Sequence, residues 1–270
     1  MEEENAERGG DGERESSSGR LSSVTCALRL LKIFTEDETE FGISVLAKRL
    51  GVAKSTGHRL ATTLVAEGFL EQNPDNGRYR LGLSLFSLGA LMRNSMDVSV
   101  HTKPLLLMLR DNTDEAVHLA VLDQTSIVYL HNLESRKAIG IRSNIGARKP
   151  AFCTSEGRVL LAFSPPNLVS RALREELLPR TPASVTDPAR LRTILNEVRS
   201  YGYAFDDEES EIGMRAIAAP IRNMSGDVVA AVSLAAPAQR LTKRHLRTLV
   251  PEVMRSAEAM SARLGHRAAA

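Results

Sequence analysis

The stretch Leu50-Gly51-Val52-Ala53-Lys54-Ser55-Thr56-Gly57-His58-Arg59-Leu60 reads as the end of one helix, a tight turn and the start of the next. Gly51 accepts a positive φ and so stops the first helix. From Lys54 to about residue 67, Leu60, Ala61, Leu64 and Val65 recur at helical spacing and form an inner face. That turns Lys54, Ser55, His58, Arg59 and Thr62 outward, with Thr56 beside them. No acidic residue interrupts the basic set Lys48, Arg49, Lys54 and Arg59. Such a helix suits the major groove of double-stranded DNA: cations hold phosphates, while short hydroxyl and imidazole groups reach base edges. The amides that open the helix add a place for a phosphate oxygen.

Reading outward from this stretch, the flanks complete a small domain over residues 21–82. Before it, Val24, Ala27, Leu28, Leu31 and Phe34 form one helical stripe, with Arg29 and Lys32 opposite. The acidic stretch 36–40 forms a loop, and Ile43, Leu46, Ala47 and Leu50 make the buried stripe of a second helix. After it, Phe69-Leu70-Glu71-Gln72 and Arg78-Tyr79-Arg80-Leu81 flank the turn Asn73-Pro74-Asp75-Asn76-Gly77, a β-hairpin signal. Strand alternation puts Arg78 and Arg80 on one face and Tyr79 on the other. Three helices and a hairpin make a winged helix-turn-helix, whose wing arginines reach DNA backbone or minor groove. Singly, each of these charges reads as a solvated surface group; the ordered set is what points to DNA.

Beyond the hairpin, residues 83–97 read as a linker and dimerisation helix. Leu83, Leu85, Phe86, Leu88, Leu91 and Met92 leave it no polar face, which predicts burial on several sides, as in a subunit interface. One recognition helix covers too few base pairs for a specific site, so a dimer is expected. Residues 98–265 read as an α+β sensor domain. Its strands are expected at 116–122, 126–130, 138–142, 203–206, 215–222 and 228–235. Its helices are expected at 98–110, 154–163, 166–178, 187–200 and 242–264. Residues 1–20 are too polar to bury a core and read as a disordered acidic tail; residues 266–270 form a second tail.

Composition narrows the function classes. The chain has 270 residues, is 43% hydrophobic and carries a formal charge of +2. No apolar run approaches bilayer length and the N-terminus lacks an apolar signal core, so a cytoplasmic protein without membrane contact is expected. Cys26 and Cys153 are too few for a disulfide framework or thiolate cage. His101, His118 and His131 lie too far apart in sequence to signal a metal site, so neither metal nor cofactor is expected. A hydrolase would need Cys153 or Ser155 with His118 or His131 and Asp206, but no nucleophile-elbow glycine pattern surrounds Ser155.

The chain resembles the IclR-type bacterial transcription regulators over residues 21–264. The N-terminal half of the resemblance rests on Ser23-Val24-Thr25-Cys26-Ala27-Leu28-Arg29-Leu30-Leu31, the 50–60 stretch and Gly77-Arg78-Tyr79-Arg80-Leu81-Gly82. The C-terminal half rests on Gly202-Tyr203-Ala204-Phe205-Asp206-Asp207-Glu208-Glu209, Ala218-Ala219-Pro220 and Arg240-Leu241-Thr242. The resemblance implies a winged helix-turn-helix, a linker helix and a GAF-like effector-binding domain. It also implies homodimers, often paired into dimers of dimers, acting on palindromic operators near metabolic operons. Repression is the default sign, with activation, common in the family, left open.

The same resemblance implies an effector pocket lined by Thr154, Ser155, Gly157, Asp206, Ala216 and Ser233. The residues themselves add that Thr154-Ser155-Glu156-Gly157 opens a helix, where free amides and a hydroxyl hold a carboxylate. Several positions depart from the commoner family pattern: Phe152 stands where a His is frequent, Arg158 replaces a Lys, Ala216 a Cys and Ala235 a Ser. Phe152, Ala216 and Ala235 offer surface rather than hydrogen bonds, which predicts a partly apolar or aromatic organic acid. Competing readings make Ser155 a helix cap, residues 206–209 a solvated acidic loop, and the C-terminal domain a ligand-independent dimerisation module.

Overall fold

The computed structural model describes residues 23–35, 37–137 and 144–267, excluding the side chains of 93–95. The expected strand at 138–142, the tail 1–20 and most of the tail 266–270 fall outside the described residues. Two compact units divide between Leu91 and Met92.

The first unit holds α1 (Ser23–Leu31), α2 (Ile43–Leu50), α3 (Lys54–Ala66), β1 (Leu70–Gln72) and β2 (Tyr79–Leu81). Its core joins Cys26, Leu30, Phe41, Leu46, Leu60, Ala61, Leu64, Leu70 and Tyr79. The face of α1 differs from the sequence reading. Cys26 and Leu30 are buried, while Val24 is 69% and Leu28 56% exposed. A short helix rich in apolar residues has two candidate stripes, and packing against α2 and α3 selects the one through Leu30. Gly51 takes φ +68 and donates its N–H to the Ala47 and Lys48 carbonyls, ending α2 as its position requires. Gly82 is needed for a different reason: a Cβ there would lie 2.2 Å from the Gly68 carbonyl oxygen.

Next comes α4 (Leu83–Ser95). It is a helix as expected, but this chain does not bury it: Leu83 and Phe86 are each 73% exposed and Leu91 68%.

The second unit is built on a fully antiparallel six-stranded sheet of order β5-β4-β3-β8-β7-β6. Its strands are β3 (Ala116–Asp123), β4 (Ser126–Leu133), β5 (Arg148–Pro150), β6 (Ala204–Asp207), β7 (Met214–Arg222) and β8 (Val228–Pro237). The short β5 has no apolar alternation and escaped the sequence reading. The helices are α5 (Asp97–Thr113), α6 (Ser155–Ala162), α7 (Pro166–Arg174) and α8 (Pro188–Tyr201), then α9 (Lys243–Thr248) and α10 (Val250–Arg263). The single long terminal helix expected from 242 breaks between α9 and α10, where Pro251 opens α10 in the first-turn position that proline tolerates.

Alternation gives the sheet two faces. One presents Val117, Leu119, Ile217, Ile221, Val232 and Leu234 to Leu106 and Leu109 of α5 and to Val253, Ala257 and Met260 of α10. The other is small and partly polar: Ala116, His118 and Ala120 on β3, Ala231, Ser233 and Ala235 on β8, Ala216 and Ala218 on β7, Asp206 on β6. Helix α6 covers this second face, its Val159, Leu160 and Leu161 sharing a core with Ala120, Ala218 and Ala231.

Candidate nucleic-acid interface and ligand site

In α3, Leu60, Ala61 and Leu64 are buried, and Gly57 packs so closely on Ala47 that an added Cβ would sit 3.1 Å from the alanine's. Anchoring this side leaves Lys54, Ser55, His58, Arg59 and Thr62 exposed and Thr56 half-buried. Ala53 caps α3 without a side-chain bond, so the first amides of the helix have no side-chain acceptor there. Lys54 and Arg59 form no ion pair among the described residues. His58 Nδ1 lies 3.4 Å from Thr62 Oγ1, and Thr63 Oγ1 donates to the Arg59 carbonyl.

The wing is held by its own turn chemistry. Glu40 accepts from Asn73 Nδ2 at 3.2 Å and from Asn76 Nδ2 at 3.1 Å, and Phe41 pairs with Tyr79 as an added strand rung. Tyr79 points into the core while Arg78 and Arg80 are exposed. Arg80 pairs with Glu71 across the hairpin at 2.9 Å. An exposed pair of this kind stabilises by about 1 kcal/mol or less, so a phosphate competes for the guanidinium at small cost. Arg49, counted among the basic set by sequence, bonds Glu38 at 2.7 Å and lies over the Phe41 ring.

The expected ligand residues converge beneath α6. Strand register aligns Asp206, Ala216, Ala235 and Ala116 in one cross-strand row, and Ala218, Ser233 and His118 in the next. Thr154, Ser155, Asp206, Ala216, Ser233 and Ala235 are each at most 3% exposed, and Phe152 is buried in the core with Val159 and Leu160. The cap of α6 is Thr154, whose Oγ1 accepts from Gly157 N at 3.2 Å. Ser155 is therefore not the cap. Gly157 has a packing duty, because a Cβ would lie 2.3 Å from Ala151.

Two charged groups on α6 organise the site: Glu156, to which the sequence reading gave no role, and Arg158, noted there only as a departure from the family pattern. Glu156 Oε1 accepts from Ser233 Oγ at 2.5 Å and lies 3.7 Å from His118 Nδ1; its Oε2 accepts from Ser155 Oγ at 3.0 Å. Burial alone would raise the Glu156 carboxyl, but His118, Ser233 and the residue's own amide outweigh it and hold the group below the ordinary carboxylate range. The chain's own carboxylate thus occupies the helix start that sequence assigned to a ligand carboxylate. Arg158 pairs bidentately with Glu209 at 2.5 and 2.6 Å and donates Nε–H to the Phe152 carbonyl.

Asp206 is no solvated loop residue. It is 1% exposed. One oxygen accepts from the Glu209 and Ser210 amides, the other from Ser210 Oγ. Burial pushes its carboxyl up to about 6 against those hydrogen bonds, with Glu156 adding to the rise.

The hydrolase arrangement does not form. Cys153 is buried with its thiol pushed up to about 12 by that burial, and Sγ donates to the Pro150 carbonyl. Ser155 donates to Glu156, His131 meets Ser99, His118 Nδ1 faces Glu156 and Asp206 is engaged with its own loop, so these residues do not stand in relay with one another. No helix among the described residues is long and apolar enough to cross a membrane.

A family model described as "IclR helix-turn-helix domain" matches residues 23–74, and one described as "Bacterial transcriptional regulator IclR C-terminal" matches residues 91–262. The chain belongs to the IclR family. Within it, the HTH-type transcriptional regulator XynR of Escherichia coli is 34% identical over 247 residues, covering 91% of this chain and 98% of the relative. The transcriptional repressor IclR of Escherichia coli is 29% identical, covering 92% of each. Among solved structures, an IclR homologue from Microbacterium hydrocarbonoxydans complexed with 4-hydroxybenzoate matches with a TM-score of 0.78 at 29% identity, covering 90% of this chain and 99% of that one. The protein is accordingly a DNA-binding transcription regulator with a winged helix-turn-helix and a GAF-like C-terminal domain, as its IclR-family relatives are transcriptional regulators.

Proposed function

We propose that this IclR-family member is a repressor of a metabolic operon, controlled by a small organic acid of aromatic or partly apolar character bound beneath α6. The observation that carries the effector reading is that Asp206, Ala216, Ser233 and Ala235 share one covered sheet face, with Phe152 just before α6 and Ser155 at its start buried in the same region. Large aliphatic side chains fill the opposite face, while alanines line this one. The homologue carrying 4-hydroxybenzoate supports an aromatic acid as the ligand class.

On the DNA side, α3 lies in the major groove through Lys54, Ser55, Thr56, His58, Arg59 and Thr62, while Arg78 and Arg80 grip the flank. The protein acts as a homodimer on a palindromic operator, itself able to pair into a dimer of dimers. The apolar surface of α4, with Leu83, Phe86 and Leu91 exposed, supports that assembly.

Lys54→Ala with Arg59→Ala should abolish sequence-selective retention of the promoter fragment while circular dichroism stays native; unchanged retention defeats the DNA assignment. In wild type, retention should fall steeply with salt. Calorimetric titration with aromatic and short keto acids tests the ligand class, and tighter binding of the short acids defeats it. Sedimentation as a monomer at micromolar concentration removes the dimer.

A further inference from the structure

The covered face holds a buried ring nitrogen that none of the described residues engages. His118 is 2% exposed, and its Nε2 has no hydrogen-bond partner among the described residues. The hydroxyl and carboxylate groups around it are committed elsewhere. The Ser233 and Ser155 hydroxyls donate to Glu156. The two Asp206 oxygens are taken by the Glu209 and Ser210 amides and by Ser210 Oγ.

These commitments also determine which ring nitrogen carries a proton. Ser233 Oγ spends its hydrogen on Glu156, so toward His118 Nδ1, 3.4 Å away, it presents only lone pairs. Glu156 Oε1, 3.7 Å from the same nitrogen, is likewise an acceptor. Nδ1 must therefore be the N–H. Nε2 is then an acceptor when the ring is neutral and a donor when it is charged.

We infer that His118 Nε2 is the specificity-determining contact of the effector site and that it takes a hydroxyl group of the ligand, a phenol or an alcohol. This rests on the proposed effector site and names the chemistry of one end of its ligand. A hydroxyl both donates and accepts, so it satisfies Nε2 in either state of the ring. A carboxylate accepts only; it would need the charged ring and would stand beside the Glu156 carboxylate. The adjoining row is Ala116, Ala216 and Ala235, small apolar side chains against which an apolar ligand body would lie. The charged and titratable groups that face the ring are Glu156 from α6 and Tyr129 from β4, whose ring centroid lies 5.2 Å from that of His118.

The test uses the full-length protein, with phenol, benzene and benzoate as probes. Long-range proton–nitrogen correlation spectra should show Nδ1 of His118 protonated without any probe. Phenol should shift the Nε2 resonance and bind about tenfold tighter than benzene, the discrimination that one hydrogen bond to an otherwise unpaired buried group supplies. In His118→Phe that preference should shrink to within about twofold. A bare Nδ1, equal binding of phenol and benzene to wild type, or benzoate displacing phenol from Nε2 would each overturn the assignment; the wild-type readings decide even if the variant misfolds. The regulatory reading is judged separately, by promoter retention with and without 4-hydroxybenzoate, so phenol contacting Nε2 in a protein whose DNA binding ignores every acid would sink only that reading.

Discussion

The two faces of the six-stranded sheet are built from alternate residues of the same strands, yet they are opposite in chemistry. Against α5 and α10 the sheet presents Val117, Leu119, Ile217, Ile221, Val232 and Leu234, with Leu234 and Ile217 fully buried. Against α6 it presents alanines, a serine, a histidine and an aspartate, and α6 answers with a glutamate and an arginine. Burying large aliphatic side chains stabilises by about 1.5–3 kcal/mol each, so the first face carries stability. The second surrenders much of that gain. A sheet face given over to small and polar groups is consistent with the proposed ligand site rather than with cohesion.

That contrast can be broken or sharpened by measurement, beginning with the largest effect. Glu209→Ala leaves the Arg158 guanidinium buried without its carboxylate and should cost about 4 kcal/mol in chemical denaturation followed by circular dichroism. A loss below about 1 kcal/mol would mean that water reaches the pair and that the α6 face is less closed than its burial implies. Leu234→Ala on the aliphatic face should cost about 3 kcal/mol by the same measurement, as expected for a large-to-small change at a fully buried site.

The pH dependence separates the faces further, because the Asp206 carboxyl sits at about 6 in the fold against an ordinary value of 3.8. The folded state then binds more protons than the open chain between about pH 4 and 6. Stability should fall as pH rises through that window, by about 3 kcal/mol in all, and stay lower above it. Subtracting the profile of Asp206→Asn isolates the effect; identical profiles would show that Asp206 is already solvated. Smallest is Ser155→Ala, which removes one of several donors to Glu156 and should cost about 1 kcal/mol.

How far these features were legible in advance depends on how local they are. The outward set on α3 follows from a 3.6-residue period within one helix, so Lys54, His58, Arg59 and Thr62 could be placed from their neighbours. The same logic failed on α1, where two apolar stripes compete and contacts with α2 and α3 choose Cys26 and Leu30 over Val24 and Leu28. The proposed ligand residues came from family resemblance. Their neighbours His118 and Glu156 carried no local signal: a histidine in a strand and a glutamate at a helix start are ordinary until β3, β8 and α6 meet. A glutamate and an arginine inside a helix otherwise made of buried residues is the pattern that could have prompted the search.

Taken by itself, the amino-acid order determines the helices, the turns, the wing and the outward charge of α3, because each depends on side chains within a few residues of one another. Only the tertiary structure decides what lies beneath α6. Residues 118, 156 and 233 share one nest because antiparallel pairing of β3 with β8 and the docking of α6 place them there. Such long-range pairing is selected by burial summed over the whole sheet, which no short stretch of sequence contains.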